Sequence, residues 1–330
     1  MRTGLGRARA MSALAQVGLS AEGLERADSV TNEVWLTPEY AVRVNRDASL
    51  RLYRESVLSM ALPASVGYPA MVQHGGEVGS DWLILERVPG KPLSRWWPTM
   101  TEDDRRSAVR QLAERLRTIH SIPCPRLDGL VDVPQLLDRA PTGQQAVGRL
   151  LNALRRLEKS PFVDAGVLRD TAHHIRDHAG ALDPFDATTI VHGDLTFENV
   201  LWDGEKITAM IDFEFARPGP ADLDLDVLLR FCALPQLHVA PDYEDVTLAS
   251  DYVDVPWWLA EDYPELFAHP RQFERVRVYS LAWDVHELLT FPPVEPLRDL
   301  HRHHPYRRMI SVLRGTSYLD RLNGSDPFDY

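Results

Sequence analysis

Ile190-Val191-His192-Gly193-Asp194-Leu195-Thr196-Phe197-Glu198-Asn199-Val200-Leu201, followed shortly by Met210-Ile211-Asp212-Phe213-Glu214, is the stretch that decides how the remaining sequence is read. An apolar strand runs into a His-Gly-Asp turn, and Asn199 comes five positions after Asp194. A further strand pair, turning at Asp203-Gly204, ends in Asp212. Two carboxylates and a carboxamide therefore sit on neighbouring loops, each flanked by strands.

Phosphoryl transfer accounts for this layout. A carboxylate must lie by the attacking hydroxyl to orient it and take its proton, while an amide oxygen and a second carboxylate hold magnesium against phosphate oxygens. Asp194 fits the first role, Asn199 and Asp212 the second. His192-Gly193-Asp194…Asn199 with Ile211-Asp212-Phe213-Glu214 resembles the signature of the aminoglycoside and choline-kinase-like phosphotransferases. These are distant relatives of protein kinases, whose loops read His-Arg-Asp and Asp-Phe-Gly. The resemblance runs from about Ser29 to Leu289. It implies an α+β, protein-kinase-like two-lobed fold, in which a small antiparallel β-sheet lobe with one helix precedes a larger, mostly helical lobe. ATP or GTP with Mg2+ would be the cofactors, and a small molecule bearing a hydroxyl the acceptor.

Upstream, the pattern agrees with that outline. Glu33–Thr37, Tyr40–Val44, Ala70–His74 and Asp81–Glu86 read as strands, and Leu50–Leu62 as a helix ended by Pro63. Residues 1–28 are expected to be an arm with a short helix from Leu14 to Leu24, with Met11 as a possible start. Residues 29–86 would form the β-rich lobe, 87–92 a hinge, and 93–330 the helical lobe. The resemblance places Arg43 where the family has a phosphate-contacting cation, with Glu55 as its ion-pair partner. The plain alternatives are an exposed arginine on an edge strand and a solvated glutamate. Ser29 and Asn32 lie in a turn that the family lays over the nucleotide phosphates, or that is simply a hairpin turn. Glu86 and Val88 fall at the hinge, where backbone groups would read the base.

Downstream, Thr101 is a plausible cap for a helix whose Val109, Leu112, Leu116 and Ile119 form one stripe. Further helices are expected at 144–159, 168–179, 223–234, 273–289 and 304–322. Asp222 is expected to steady the catalytic loop from the next helix, and His192 to orient that loop by hydrogen bonding. Asp284 and Glu287, three apart on one helix face, are the candidate acceptor contacts; solvated helix surface is the plain alternative.

Composition limits the other possibilities. The 330 residues are 44% hydrophobic, enough for a sizeable core, and no run approaches the roughly 20 apolar residues of a membrane helix. A net charge of -12 argues against nucleic-acid or anionic-membrane binding. Cys124 and Cys232 make no disulfide framework, which suggests a reducing, cytoplasmic setting. The histidine groups 173/174/178 and 301/303/304 have no ligands at zinc spacing. A protein kinase is the nearest rival, but the sequence lacks an Ala-Pro-Glu segment and has Asp-Phe-Glu for Asp-Phe-Gly. A non-catalytic nucleotide-binding regulatory module is the rival from another class.

Overall fold

In the computed structural model, residues 2–27, 32–46, 48–125, 127, 130, 137 and 142–323 are described. Helix α1 (Arg2–Gln16) leads into strands β1 (Glu25–Ala27), β2 (Glu33–Leu36) and β3 (Tyr40–Val44). Helix α2 (Arg51–Ser59) separates these from β4 (Met71–Gly75) and β5 (Trp82–Glu86). The five strands form one antiparallel sheet in the order β1-β2-β3-β5-β4. Strand alternation decides what each face does. Val42 and Val44 point to one face and pack with Ala10, Ala13 and Leu14 of α1. Arg43 points to the other, where Leu52 of α2 packs with Leu83 and Leu85. Because β3 is internal to the sheet, the edge-strand alternative for Arg43 does not hold.

The N-terminus differs from expectation. Its helix spans Arg2–Gln16 and not Leu14–Leu24, because Ala10, Ala13 and Leu14 make an i, i+3, i+4 stripe that the sheet buries. Arg9 fixes it further by donating to the carbonyls of Asn45 (2.5 Å) and Ser80 (2.8 Å).

After β5 the chain crosses to the second lobe through a short strand, β6 (Lys91–Pro92), and helix α3 (Leu93–Trp96). The crossing is tight. Gly90 has φ of 115°, and a Cβ there would stand 2.8 Å from the carbonyl oxygen of Trp202. Helices α4 (Glu102–Ile119), α5 (Gly143–Leu157) and α6 (Ala165–Asp177) follow. Thr101 caps α4 as its sequence suggests, accepting from the amide of Asp104.

Four short strands interrupt the helices: β7 (Ile190–Val191), β8 (Val200–Trp202), β9 (Ile207–Met210) and β10 (Arg217–Pro218). Strand β6 adds to the β8–β9 hairpin, while β7 pairs with β10. The crossing segment is thus hydrogen-bonded to the hairpin whose two ends carry Asn199 and Asp212. Helices α7 (Asp222–Ala233), α8 (Val255–Asp262), α9 (Gln272–Thr290), α10 (Pro305–Leu313) and α11 (Tyr318–Asn323) complete the lobe. The single helix expected over 304–322 is two, broken at Gly315 in the left-handed region (φ 63°). One apolar cluster joins the α4 stripe to Phe197, Phe213, α7 and α8; a second joins α5, α6, α9 and α10. Trp258 and Tyr263 belong to the first cluster. No helix among the described residues is long and apolar enough to cross a membrane.

Candidate active site

The His-Gly-Asp turn is held from below by a buried acid. Asp224 is fully buried in the first turn of α7 and accepts from both amides of the turn, His192 N–H (2.7 Å) and Gly193 N–H (2.8 Å). Gly193 has φ of 80°, and a Cβ there would meet the carbonyl oxygen of Phe215 at 2.3 Å, so only glycine fits. The contact expected of Asp222 is therefore made two residues later. Asp222 faces α9, where it pairs with Arg275 (2.5 Å) and accepts from Tyr279 (3.0 Å). At about 100° per residue, Asp222, Asp224 and Asp226 aim at different neighbours. Spacing alone could not choose among them.

His192 is completely buried. Its Nδ1 accepts from the Asp194 amide (3.3 Å), which leaves the proton on Nε2 to donate to the Ile211 carbonyl (3.1 Å). The ring thereby ties the Asp194 loop to the residue before Asp212, and it packs 4.5 Å from the ring of Phe213.

Asn199 donates from Nδ2 to the main-chain carbonyl of Asp194 (2.8 Å) and to its carboxylate (3.0 Å). With both bonds on the nitrogen, the amide oxygen keeps its lone pairs for another partner. Asp212 has φ of 66°, the only non-glycine positive φ among the described residues. Such a conformation costs on the order of 1–3 kcal/mol and persists where the surroundings enforce it. Burial pushes the Asp194 carboxyl above its ordinary range, and the nearby Asp212 charge pushes the same way.

Arg43 sits between three acids. It reaches Glu55 of α2 at 2.5 Å, Asp212 at 2.6 Å and Glu214 at 3.0 Å. Burial works against its charge, but the three carboxylates hold it firmly protonated. Glu55 is fully buried and also accepts from Tyr68 (3.0 Å) and the Phe213 amide (3.3 Å), so the solvated-helix alternative fails. Asn32 donates to Glu214, which bridges the turn before β2 to the Asp212 loop. Arg51 lies 3.5 Å from Glu214 and 4.7 Å from the centre of the Phe215 ring. Ser29 lies outside the described residues. Glu86, exposed, ends β5, and half-buried Val88 follows in the crossing.

Three acids (Glu55, Asp212, Glu214) thus surround Arg43, with Arg51 beside Glu214, and a fourth, Asp194, lies near enough to Asp212 to feel its charge. That excess of negative charge suits a divalent cation. Asp212 and the amide oxygen of Asn199 are hard oxygen donors of the kind magnesium takes, and phosphate oxygens and water would fill its remaining positions. No cluster of three or more His, Cys, Asp or Glu forms an all-protein metal cage among the described residues.

Asp284 and Glu287 do not face this cleft as free acids. Asp284 is fully buried, 2.7 Å from Arg308 and 3.5 Å from Arg230. Glu287 is also paired with Arg308. They form a clamp between α9, α10 and α7, which removes Asp284 as an acceptor contact. Glu214 and Asp224 escaped sequence reasoning, although both stand beside residues it had singled out.

A profile of the phosphotransferase enzyme family matches residues 26–258. The chain belongs to that family. Over 192 residues it is 31% identical to an aminoglycoside 3'-phosphotransferase of Streptomyces ribosidificus, covering 52% of this chain and 61% of that enzyme. Over 239 residues it is 28% identical to an aminoglycoside 3'-phosphotransferase of Streptomyces fradiae, covering 64% and 71%. The fold matches that of aminoglycoside phosphotransferase APH(2'')-Ib with ADP bound, at a TM-score of 0.63 and 16% identity over 94% of this chain and 97% of that one. The fold class expected from the sequence, a small antiparallel sheet lobe followed by a helical lobe, is the one observed.

Proposed function

We propose that this member of the phosphotransferase family moves the γ-phosphoryl group of ATP or GTP, with Mg2+, onto a hydroxyl of a small molecule, an aminoglycoside being the favoured acceptor. The observation that carries the reading is the convergence of Asp194, Asn199 and Asp212 from adjacent loops beside Arg43. Asp194 orients the acceptor hydroxyl and takes its proton as the hydroxyl oxygen bonds to the γ-phosphorus and the bond from that phosphorus to the β–γ bridging oxygen breaks, releasing ADP or GDP. The Asn199 amide, bonded to the Asp194 carboxylate, holds that carboxylate toward the acceptor. Asn199 Oδ1 and Asp212 would hold the metal, which supplies charge neutralisation to the phosphate oxygens. Arg43, released from Asp212 when nucleotide binds, supplies a further positive charge to the phosphates, while Glu55 keeps it in reach. The acceptor class rests on the Streptomyces relatives. Inactivation of an antibiotic in the cytoplasm, where nucleoside triphosphates are plentiful, would confer resistance.

The test is a phosphoryl-transfer assay with ATP or GTP, magnesium and a panel of aminoglycosides, amino alcohols and sugars. Transfer to at least one aminoglycoside is expected, and Asp194→Asn should lower kcat by about 10²-fold or more while still binding nucleotide. Full activity in Asp194→Asn would remove Asp194 as the base. Nucleotide binding by the wild type without transfer to any member of the panel would turn the reading toward a regulatory module.

A further inference from the structure

The segment that carries the chain from the sheet lobe into the helical lobe grips the Asn199 loop at two places. Strand β6 pairs with β8, Lys91 against Trp202 and Pro92 against Leu201, shortly after Asn199. Two residues beyond Pro92, in α3, Ser94 Oγ donates to one carboxylate oxygen of Glu198, and Arg95 Nη2 donates to the other at 2.7 Å. Glu198 immediately precedes Asn199. Asn199 is therefore bracketed by a strand pairing on its C-terminal side and a doubly bonded carboxylate on its N-terminal side.

The Glu198 and Arg95 side chains are only 19% and 12% exposed, so water contributes little to this contact. The Arg95 guanidinium lies over the Tyr243 ring, 3.6 Å from its centre, in the short 3-10 helix Pro241–Val246. Burial pushes the Glu198 carboxyl up, and Ser94 and Arg95 pull it the other way. The remaining polar bonds of Asn199 come from the loops it joins. Its side chain donates to Asp194, its amide donates to the Thr196 carbonyl (3.1 Å), and its carbonyl accepts from Ile211 N–H (2.9 Å). Phe197 anchors the same turn by ring packing against Trp97 and Phe231. Glu198 carries the polar tie from that turn to α3.

We infer that Glu198 is a positioning residue for the metal: held by Ser94 and Arg95, it fixes the Phe197–Asn199 turn so that the Asn199 amide oxygen faces the cation while its nitrogen stays on Asp194. Tyr243 keeps the Arg95 guanidinium in place. The inference rests on the phosphotransferase reading for its effect on metal binding, but not for its effect on Asn199.

Two readouts test it on the full-length protein, and neither needs turnover. NMR of the Asn199 side-chain amide reports the turn without metal, since that group donates to Asp194. Glu198→Ala should move its resonances. Glu198→Gln, which can donate to Ser94 Oγ and accept from Arg95, should leave them close to those of the wild type. Titration with Mn2+ in the presence of AMP-PNP, followed by electron paramagnetic resonance, reports the metal. Glu198→Ala should weaken Mn2+ binding by roughly 10- to 100-fold, the scale on which lost outer-layer partners disturb a metal site, with metal-free AMP-PNP binding within about twofold. Arg95→Ala should behave alike, and Ser94→Ala should show a smaller change of the same kind. If Glu198→Ala does not fold, Ser94→Ala and Arg95→Lys carry both readouts. Unmoved Asn199 resonances, an unchanged Mn2+ affinity, or a loss shared equally by Mn2+ and metal-free nucleotide would overturn the inference. A wild type that binds no Mn2+ with AMP-PNP defeats the functional reading alone, because the amide resonances still decide the positioning.

Discussion

At the scale of single residues, the electrostatics of Asp194 and Asp212 set the pH behaviour. As the proposed base, Asp194 would act in its ionised form, and both burial and the Asp212 charge raise its pKa. Protonation removes the base, so kcat/KM should fall as pH drops, on an acid limb above the usual carboxylate range. Replacing Asp212 by Asn removes one raising influence. In the nucleotide-free protein the Asp194 carboxyl should then titrate at lower pH, which carboxyl-carbon NMR would detect. An Asp194 titration unmoved by that change would mean the two groups are not coupled. The same scale explains why Asp224 was missed. Three acids alternate along the start of α7, and which of them faces the catalytic turn depends on the rotation of the helix against its neighbours.

At the scale of elements, the ion cluster of α7, α9 and α10 is a structural clamp. Arg230 pairs with Asp226 (3.0 Å) and Asp284, Arg308 pairs with Asp284 and Glu287, and Tyr318 of α11 donates to Asp226 (3.0 Å). Removing one partner from a buried pair costs about 3–5 kcal/mol, because the other charge is left unbalanced in a poor solvent for ions. Asp284→Ala should therefore destabilise the protein on that scale in urea unfolding. Glu287→Ala, whose side chain is 31% exposed, should cost no more than about 1 kcal/mol. The acceptor KM should be unchanged for any Asp284 variant that stays folded. A stable Asp284→Asn protein with a raised acceptor KM would return Asp284 to the acceptor site. Sequence periodicity put Asp284 and Glu287 on one helix face correctly; it carried no information about Arg308, 24 residues further along the chain.

At the scale of the whole molecule, the site joins two lobes. Arg43 and Glu55 come from the sheet lobe, while Asp194, Asn199 and Asp212 come from the second lobe. A ligand touching both sides binds only the folded, assembled protein. Nucleotide with magnesium should raise the unfolding free energy by about 2.7 kcal/mol at a hundred times its Kd. That stabilisation should depend on magnesium in the wild type and lose its magnesium dependence in Asp212→Ala. A thermal shift indifferent to magnesium in both proteins would remove Asp212 as a metal ligand. The sequence alone made most of the strands and helices legible and singled out Asp194, Asn199 and Asp212, because hydrophobic period and turn chemistry are local properties of the chain, although it misplaced the N-terminal helix and ran α10 and α11 together. Only the tertiary structure decided that α1 covers the sheet, that Arg43 is internal and triply paired, that Asp224 supports the catalytic turn, and that Asp284 is locked away. Each of those outcomes depends on a partner far off in sequence, and a buried charge takes its role from whatever the fold brings against it.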